Sequence, residues 1–317
     1  MLIRHFVAGD AEHVAAVQNA AAAALPGYRP LTADEVRRRT TGPAFDPAAH
    51  AFAEDDGRVV GHAAFDPVTG QVSFPWCKPG YERAAHPLLT AVLRAMARRG
   101  MAKAFAAYRA DWADVWEFLG DHDFDKARDV VNYSQSIGDL PTMFQRPGLN
   151  ITALTAADLP AVLELAPSAL RLADARLADY FLRNPRFPAD AFFVLRNKTG
   201  GVKGVGLMLD DPALTPVEET DPRAAGFRFG AFGSEGLAAD RVNGLFSFIA
   251  APGKDAELIG QDLLWYATSR ADTNSFDNLA AQAPSDQPHL TRFYDRYFQR
   301  QGSFPVFERD VGSESRF

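Results

Sequence analysis

Few side chains of this 317-residue chain stand in a pattern that does chemistry unaided. The seven histidines, at 5, 13, 50, 62, 86, 122 and 289, show no His-x-x-x-His or Cys/His spacing, so no metal site is expected. Cys77 is the only cysteine; it has no His or Asn in a recognisable cysteine-hydrolase context and reads as a small strand residue. No Gly-x-Ser-x-Gly occurs, and Gly204-Val205-Gly206 is not extended into a dinucleotide fingerprint. His86, at a helix start, could touch a phosphate, although a surface histidine is the plainer reading, and Arg37-Arg38-Arg39 reads as a solvated helix face. Two features remain. One is a phenol, Tyr294, in Arg292-Phe293-Tyr294-Asp295, with Tyr297 and Phe298 beside it; its ring can pack, and its hydroxyl can hydrogen-bond or exchange a proton. The other is a pair of turns, Pro79 to Leu88 and Pro252 to Gln261, each leading into a helix whose first amides could face an anion.

The elements that position these residues are legible because the chain repeats itself. Leu2 to Asp10 is a short strand and a turn before an alanine-rich helix, and Asn150 to Asp158 has the same form. Asp10 falls on Asp158, each suited to an N-cap. Ala51 to Phe65 reads as a hairpin with Asp-Asp-Gly at its turn, and Phe192 to Met208 shares that grammar. A strand ending in proline follows in each half, Val72 to Pro79 and Leu245 to Pro252. Next come amphipathic helices carrying Leu88, Leu89, Val92, Leu93 and Met96, or Ile259, Leu263, Leu264 and Ala267. Each half then gives an aromatic helix, around Trp116 or Phe293, and a strand is expected within Val130 to Ile137. The second half carries an extra Pro/Gly-rich segment, Asp210 to Asp240. Residues 1–140 and 150–317 are therefore expected to be two domains, joined by a connector at 141–149, with Gly312 to Phe317 frayed.

Composition bounds the function. Apolar residues make up 47% and charged residues 23%, which suits globular domains with real cores. A net charge of −7 argues against a nucleic-acid or anionic-membrane surface over the whole molecule. The longest apolar stretch, Ala20 to Pro26, is too short to span a bilayer. Asp10 and Glu12 interrupt any signal-peptide layout, so a cytoplasmic protein is expected.

The repeated layout resembles a tandem pair of GCN5-related N-acetyltransferase (GNAT) domains over nearly the whole chain. That resemblance implies an α/β fold of two domains, each a mixed, mostly antiparallel sheet flanked by helices. It also implies acetyl-coenzyme A as acyl donor and a small-molecule amine as acceptor. The family's turn has the form Gln/Arg-x-x-Gly-x-Gly/Ala. In the second half Gly260 matches its last glycine, while Asp255 and Leu258 stand for the basic residue and first glycine. The first half keeps neither glycine. By resemblance, Leu258, Ile259, Gly260 and Gln261 would seat the pyrophosphate, Phe248, Ile249 and Ala250 would offer backbone groups to the pantetheine arm, and Gln287 would stand where the family often has Asn. Tyr294 matches the family's proton donor to the departing thiolate; phenol (~10) and thiol (~8.5) pKa values lie close enough for that transfer. Leu119, its first-half counterpart, has no proton to give. Glu235 and Asp240 are the carboxylates nearest the strand that could act as base, with a solvated-loop reading beside them. The second half is thus expected to be catalytic and the first degenerate. The alternatives are a silent GNAT pair that binds coenzyme A or a metabolite, and an oligomerisation scaffold built on its 24 phenylalanines.

Overall fold

The computed structural model describes residues 1–41, 45–67, 69–141, 146, 148–165, 181–182, 187–188, 190–211, 243–270 and 276–312. Its first half runs β1 (Leu2–His5), α1 (Asp10–Ala22), α2 (Ala33–Arg39), β2 (His50–Asp55), β3 (Arg58–Ala64), β4 (Trp76–Cys77), α3 (Ala85–Arg98), β5 (Lys103–Ala107), α4 (Ala113–Gly120) and β6 (Asp125–Ser136). The second runs β7 (Asn150–Ala153), α5 (Leu159–Leu165), β8 (Phe192–Arg196), β9 (Val202–Leu209), β10 (Leu245–Ala250), α6 (Ala256–Arg270), β11 (Asn278–Pro284), α7 (Pro288–Tyr297) and β12 (Gln299–Asp310). The order read from the sequence is present twice. Residues 212–240 of the extra segment lie outside the described residues.

By contacts the chain forms two compact units, Met1–Ala127 with Val306–Phe317, and Arg128–Pro305. Both boundaries fall inside strands, β6 and β12, so the units do not coincide with the repeat boundaries of the sequence. In the first unit β1-β2-β3-β4 form one sheet, and Val306 to Asp310 pair antiparallel with β5. In the second, the strand order is β6-β11-β10-β9-β8-β7.

Local chemistry explains the parallels between the halves. The β2–β3 turn places Asp56 and Gly57 at φ 49° and 73°, the left-handed pair that a tight hairpin needs. Both hairpins shift register at matching places, between Ala53 and Glu54 and between Leu195 and Arg196. Each second hairpin strand carries a glycine beneath the long helix. A Cβ on Gly61 would meet Leu88 at 2.8 Å, and one on Gly204 would meet Ile259 at 2.5 Å. Glycine lets α3 and α6 lie closer to their sheets than any other residue would allow. The aligned aspartates are not the N-caps expected from sequence, which are Gly9 and Thr155; they stand inside the helix starts and bind there. Asp10 takes two hydrogen bonds from Arg4, at 2.6 and 2.9 Å, and one from the Val7 amide. Asp158 takes two from Arg196, at 2.7 and 3.0 Å, and one from the Thr155 amide. Both carboxylates are buried, so each ion pair ties a helix start to the sheet. The arginine comes from the first strand in one half and from the hairpin in the other.

One expected element is much reduced. The strand anticipated from Val72 to Pro79 is only Trp76–Cys77, plus an isolated bridge between Phe65 and Val72. Pro75 and Pro79 supply no N–H for a ladder. Its second-half counterpart is a fully buried six-residue strand.

The first unit also encloses a histidine pair. His50 Nδ1 lies 3.2 Å from His62 Nε2, the rings stack, and Phe6 and Phe52 pack around them. Burial pulls the pKa of His50 down to about 4 and that of His62 to about 3, the charge of Asp46 opposing the first and that of Asp10 the second. Both are depressed below the unfolded value near 6.5, so between about pH 6.5 and 4 the unfolded chain binds protons that the folded pair refuses. Stability is expected to fall as pH drops through that window, at up to about 2–3 kcal/mol per pH unit. Urea denaturation across pH 4–7 measures this, and His62→Phe should flatten the slope; an unchanged slope would exclude the pair as its source.

Candidate active site

The site expected from sequence lies where β10 and β11 meet. β10 pairs with β9 along its whole length, Leu245 to Ala250, and β11 pairs with β6 from Asn278 to Pro284. Between the parallel strands β10 and β11 the only register pair is Leu245 with Ala280. Beyond it the strands part. The Ala280 amide donates to the Gly244 carbonyl, which sets the even-numbered backbone groups of β10 on the β11 side. From Phe248 onward those groups have no strand partner on the β11 side among the described residues, and an edge of this kind needs hydrogen bonds from elsewhere.

α7 meets that edge. Tyr294 is fully buried, with ring centroids 5.3 Å from Tyr133, 5.8 Å from Phe248 and 6.5 Å from Phe246. Burial pushes its phenol well above the ordinary value, while Ser247 and the Phe248 amide, both close to the hydroxyl, pull the other way. Neither closes a hydrogen bond of good geometry: Tyr294 Oη and Ser247 Oγ are both buried without a partner among the described residues. His289, in the first turn of α7, is buried and held below its ordinary pKa by desolvation, with the backbone of Ala250 opposing that shift. Ile249 packs into the opposite core, with Leu245 and Val205.

The residues expected at the pyrophosphate are arranged differently from one another. Gly260 is buried and faces inward, and a Cβ there would meet Phe248 at 2.7 Å and Phe293 at 2.8 Å. The glycine lets α6 pack against two aromatic rings. Ile259 is likewise buried, whereas Leu258 is exposed at 38%. The Gln261 amide donates to the Tyr297 hydroxyl, and Gln287 is the buried N-cap of α7. What reaches solvent is the turn Ala251 to Asp255 and the start of α6. Charge there is better balanced than sequence order suggests. Glu257 pairs with Arg296, and Arg146 forks onto the buried Asp262, close enough to Asp255 to feel its charge. Lys254 completes three cations against three carboxylates. Sequence reasoning missed Arg146 and Arg296 because both come from elsewhere in the chain. Glu235 and Asp240 lie outside the described residues.

The first half presents no comparable site among the described residues. Leu119 is buried in its core. Burial, followed by the charge of Glu82, pushes the Cys77 thiol up to about 12, so it is no nucleophile at neutral pH. No group of three or more His, Cys, Asp or Glu among the described residues could hold a metal ion, and no helix among them is long and apolar enough to cross a membrane.

No described protein family matches the chain, and no curated protein does. Solved structures match it end to end. A GCN5-related N-acetyltransferase from Sphaerobacter thermophilus is 15% identical with a TM-score of 0.58, over 98% of this chain and 95% of its own. A tandem GNAT protein from the clavulanic acid biosynthesis pathway is 13% identical with a TM-score of 0.56, over 99% of each chain. A GCN5-related glucosamine N-acetyltransferase region of a fungal multi-domain GH3 β-N-acetylglucosaminidase is 14% identical with a TM-score of 0.62, over 97% of this chain and 38% of that one. Likeness at these identities is likeness of fold, and the chain has the fold of two GNAT-like domains that its repeat implies.

The inward face of Gly260 yields a test. Gly260→Ala forces a methyl group against two aromatic rings, so it should cost about 1–3 kcal/mol of stability by overpacking, read as a lower urea midpoint. A neutral effect on stability would return Gly260 to the solvent side of the turn.

Proposed function

We propose that the C-terminal half is a coenzyme A-dependent N-acyltransferase that moves an acetyl group to the amine of a small molecule, the first half being non-catalytic. One observation carries this reading: the β10 edge left open by the parting of β11 is faced by a buried tyrosine hydroxyl with no partner among the described residues. A hydroxyl in that state costs about 1–3 kcal/mol, and phenylalanine would fill the same space without the cost. The residues fit the reactive end of an acyl-thioester arm. The backbone of Phe248 and Ala250 can hydrogen-bond along it, and the Phe248 amide can polarise the acyl carbonyl. Bound coenzyme A would supply an acyl group activated as its thioester.

Tyr294 would give its proton to the leaving sulfur. Its raised pKa is no obstacle, because the low-dielectric surroundings that disfavour a phenolate disfavour a thiolate as well. At the other end, the amides that begin α6 and the exposed turn at Gly253-Lys254 would meet the pyrophosphate, with Arg296 and Arg146 offsetting the nearby carboxylates. Gly260 would contribute indirectly, by letting α6 sit close to β10.

The second reading is a silent GNAT pair that binds coenzyme A or a metabolite. The aromatic packing of Phe248 and Phe293 against Gly260, and the enclosure of Tyr294, favour it.

Calorimetry with acetyl-coenzyme A and turnover across a panel of small amines separate the two. The catalytic reading expects saturable binding, turnover, and a fall in kcat of about 10²-fold or more in Tyr294→Phe with binding retained. Binding without turnover on any amine supports the silent reading. No binding removes both.

A further inference from the structure

Sequence spacing gives no reason to join His86 and His122, which stand 36 residues apart, but the first unit brings them face to face. His86 lies in the first turn of α3 with its side chain exposed, and His122 in the turn that follows α4. His86 Nδ1 and His122 Nε2 are 3.1 Å apart, and the ring centroids 5.3 Å. His122 is braced from several directions. Its Nδ1 donates to the Phe118 carbonyl at 2.7 Å, and its ring stacks on that of Phe118 at 4.0 Å. Its amide donates to the Leu119 carbonyl, and its own carbonyl accepts from the buried Arg309 at 2.7 Å. The hydrogen on Nδ1 fixes the tautomer, so Nε2 carries the lone pair on the side of His86. A carbonyl that takes the far N–H of an imidazole orients the ring and raises its basicity, the outer arrangement that metal-binding histidines show. The spacing fits as well. Two metal–nitrogen bonds of ~2.0–2.1 Å bridge nitrogens 3.1 Å apart at about 95–100°, between the octahedral and tetrahedral angles. The pair His50 and His62 has a similar separation, 3.2 Å, but aromatic rings pack around it, where an ion would have to shed its water.

We propose that His86 and His122 form a two-histidine site for a borderline divalent transition-metal ion of the zinc, nickel and copper class, with water in its remaining positions. Imidazole nitrogens suit these ions, whereas magnesium and calcium take oxygen ligands. On binding, the His86 hydrogen moves from Nδ1 to Nε2, which puts a lone pair at Nδ1, and His122 keeps its tautomer. The exposed ring of His86 turns so that both lone pairs converge on the ion. Coordination outweighs the repulsion from the α3 dipole, which is weak at an exposed position and fades in salt. The bound ion ties the start of α3 to the turn after α4. Every residue of the site belongs to the first unit, so the inference stands apart from the coenzyme A reading.

Calorimetry with zinc chloride and nickel chloride on the full-length, untagged protein tests the site. The expected result is one tightly bound ion per chain, no binding of magnesium or calcium, and a fall in affinity of about tenfold or more in His86→Gln and His122→Gln alike. His62→Phe should bind as wild type does. Zinc at about ten times its Kd should also raise the melting temperature of wild type by about 3 °C or more, and leave that of His86→Gln unchanged. His86 is exposed, so that variant keeps its fold even where His122→Gln disturbs the turn. Absence of zinc and nickel binding at about 1 mM, unchanged affinity in His86→Gln, or a loss of binding in His62→Phe equal to that in His86→Gln would each overturn the site.

Discussion

A parallel strand pair that holds for one residue and then opens leaves backbone donors and acceptors facing a gap inside the protein. Buried amides and carbonyls must be satisfied or bear a cost of kilocalories each, so such an opening persists only where something else occupies the edge. In the second unit the edge is β10 beyond Leu245, and α7 occupies it with Tyr294 and His289. The helix is placed by its apolar face, through Leu290 and Phe293, and α6 is drawn in beside it because Gly260 has no side chain to hold it off. The same core that stabilises the unit therefore sets the phenol against the strand, and the site follows from how the parting is filled.

The two halves show how a repeat can share a frame and diverge in chemistry. Both keep a buried aspartate tied to an arginine at the first helix, a hairpin with a register shift, and a glycine under the long helix. These features fix the packing of helices on a sheet. They are indifferent to what the strand next to the long helix does at its far edge. In the first half that strand shrinks to Trp76–Cys77, and the residue matching Tyr294 is Leu119, packed as core. The frame tolerates this loss because its stability resides in the apolar faces of α1 and α3 against β2 and β3.

Much of this was readable before any coordinates. The order of elements, the two tight hairpins, the buried faces of α3 and α6 and the place of Tyr294 on the last helix all follow from local rules. Turn chemistry and the spacing of apolar residues depend on neighbours within a few positions, and Asp56-Gly57 or Leu88-Leu89-Val92 announce themselves whatever the rest of the chain does. The short β4 could also be anticipated from Pro75 and Pro79, though the apolar run around them obscured it.

Other features were decided only by tertiary structure. The glycine of a phosphate-type turn and the glycine of a close helix contact are the same letter, and only the rings of Phe248 and Phe293 show which face Gly260 presents. Arg296 pairs with Glu257 in the first turn of α6 from 39 residues away, and Arg146 with Asp262 further along it from 116 residues away, distances at which no sequence window connects them. Periodicity records which face of an element is apolar, because that is a property of consecutive residues. Whether a buried group has a partner is a property of elements that meet in space, and folding alone determines it.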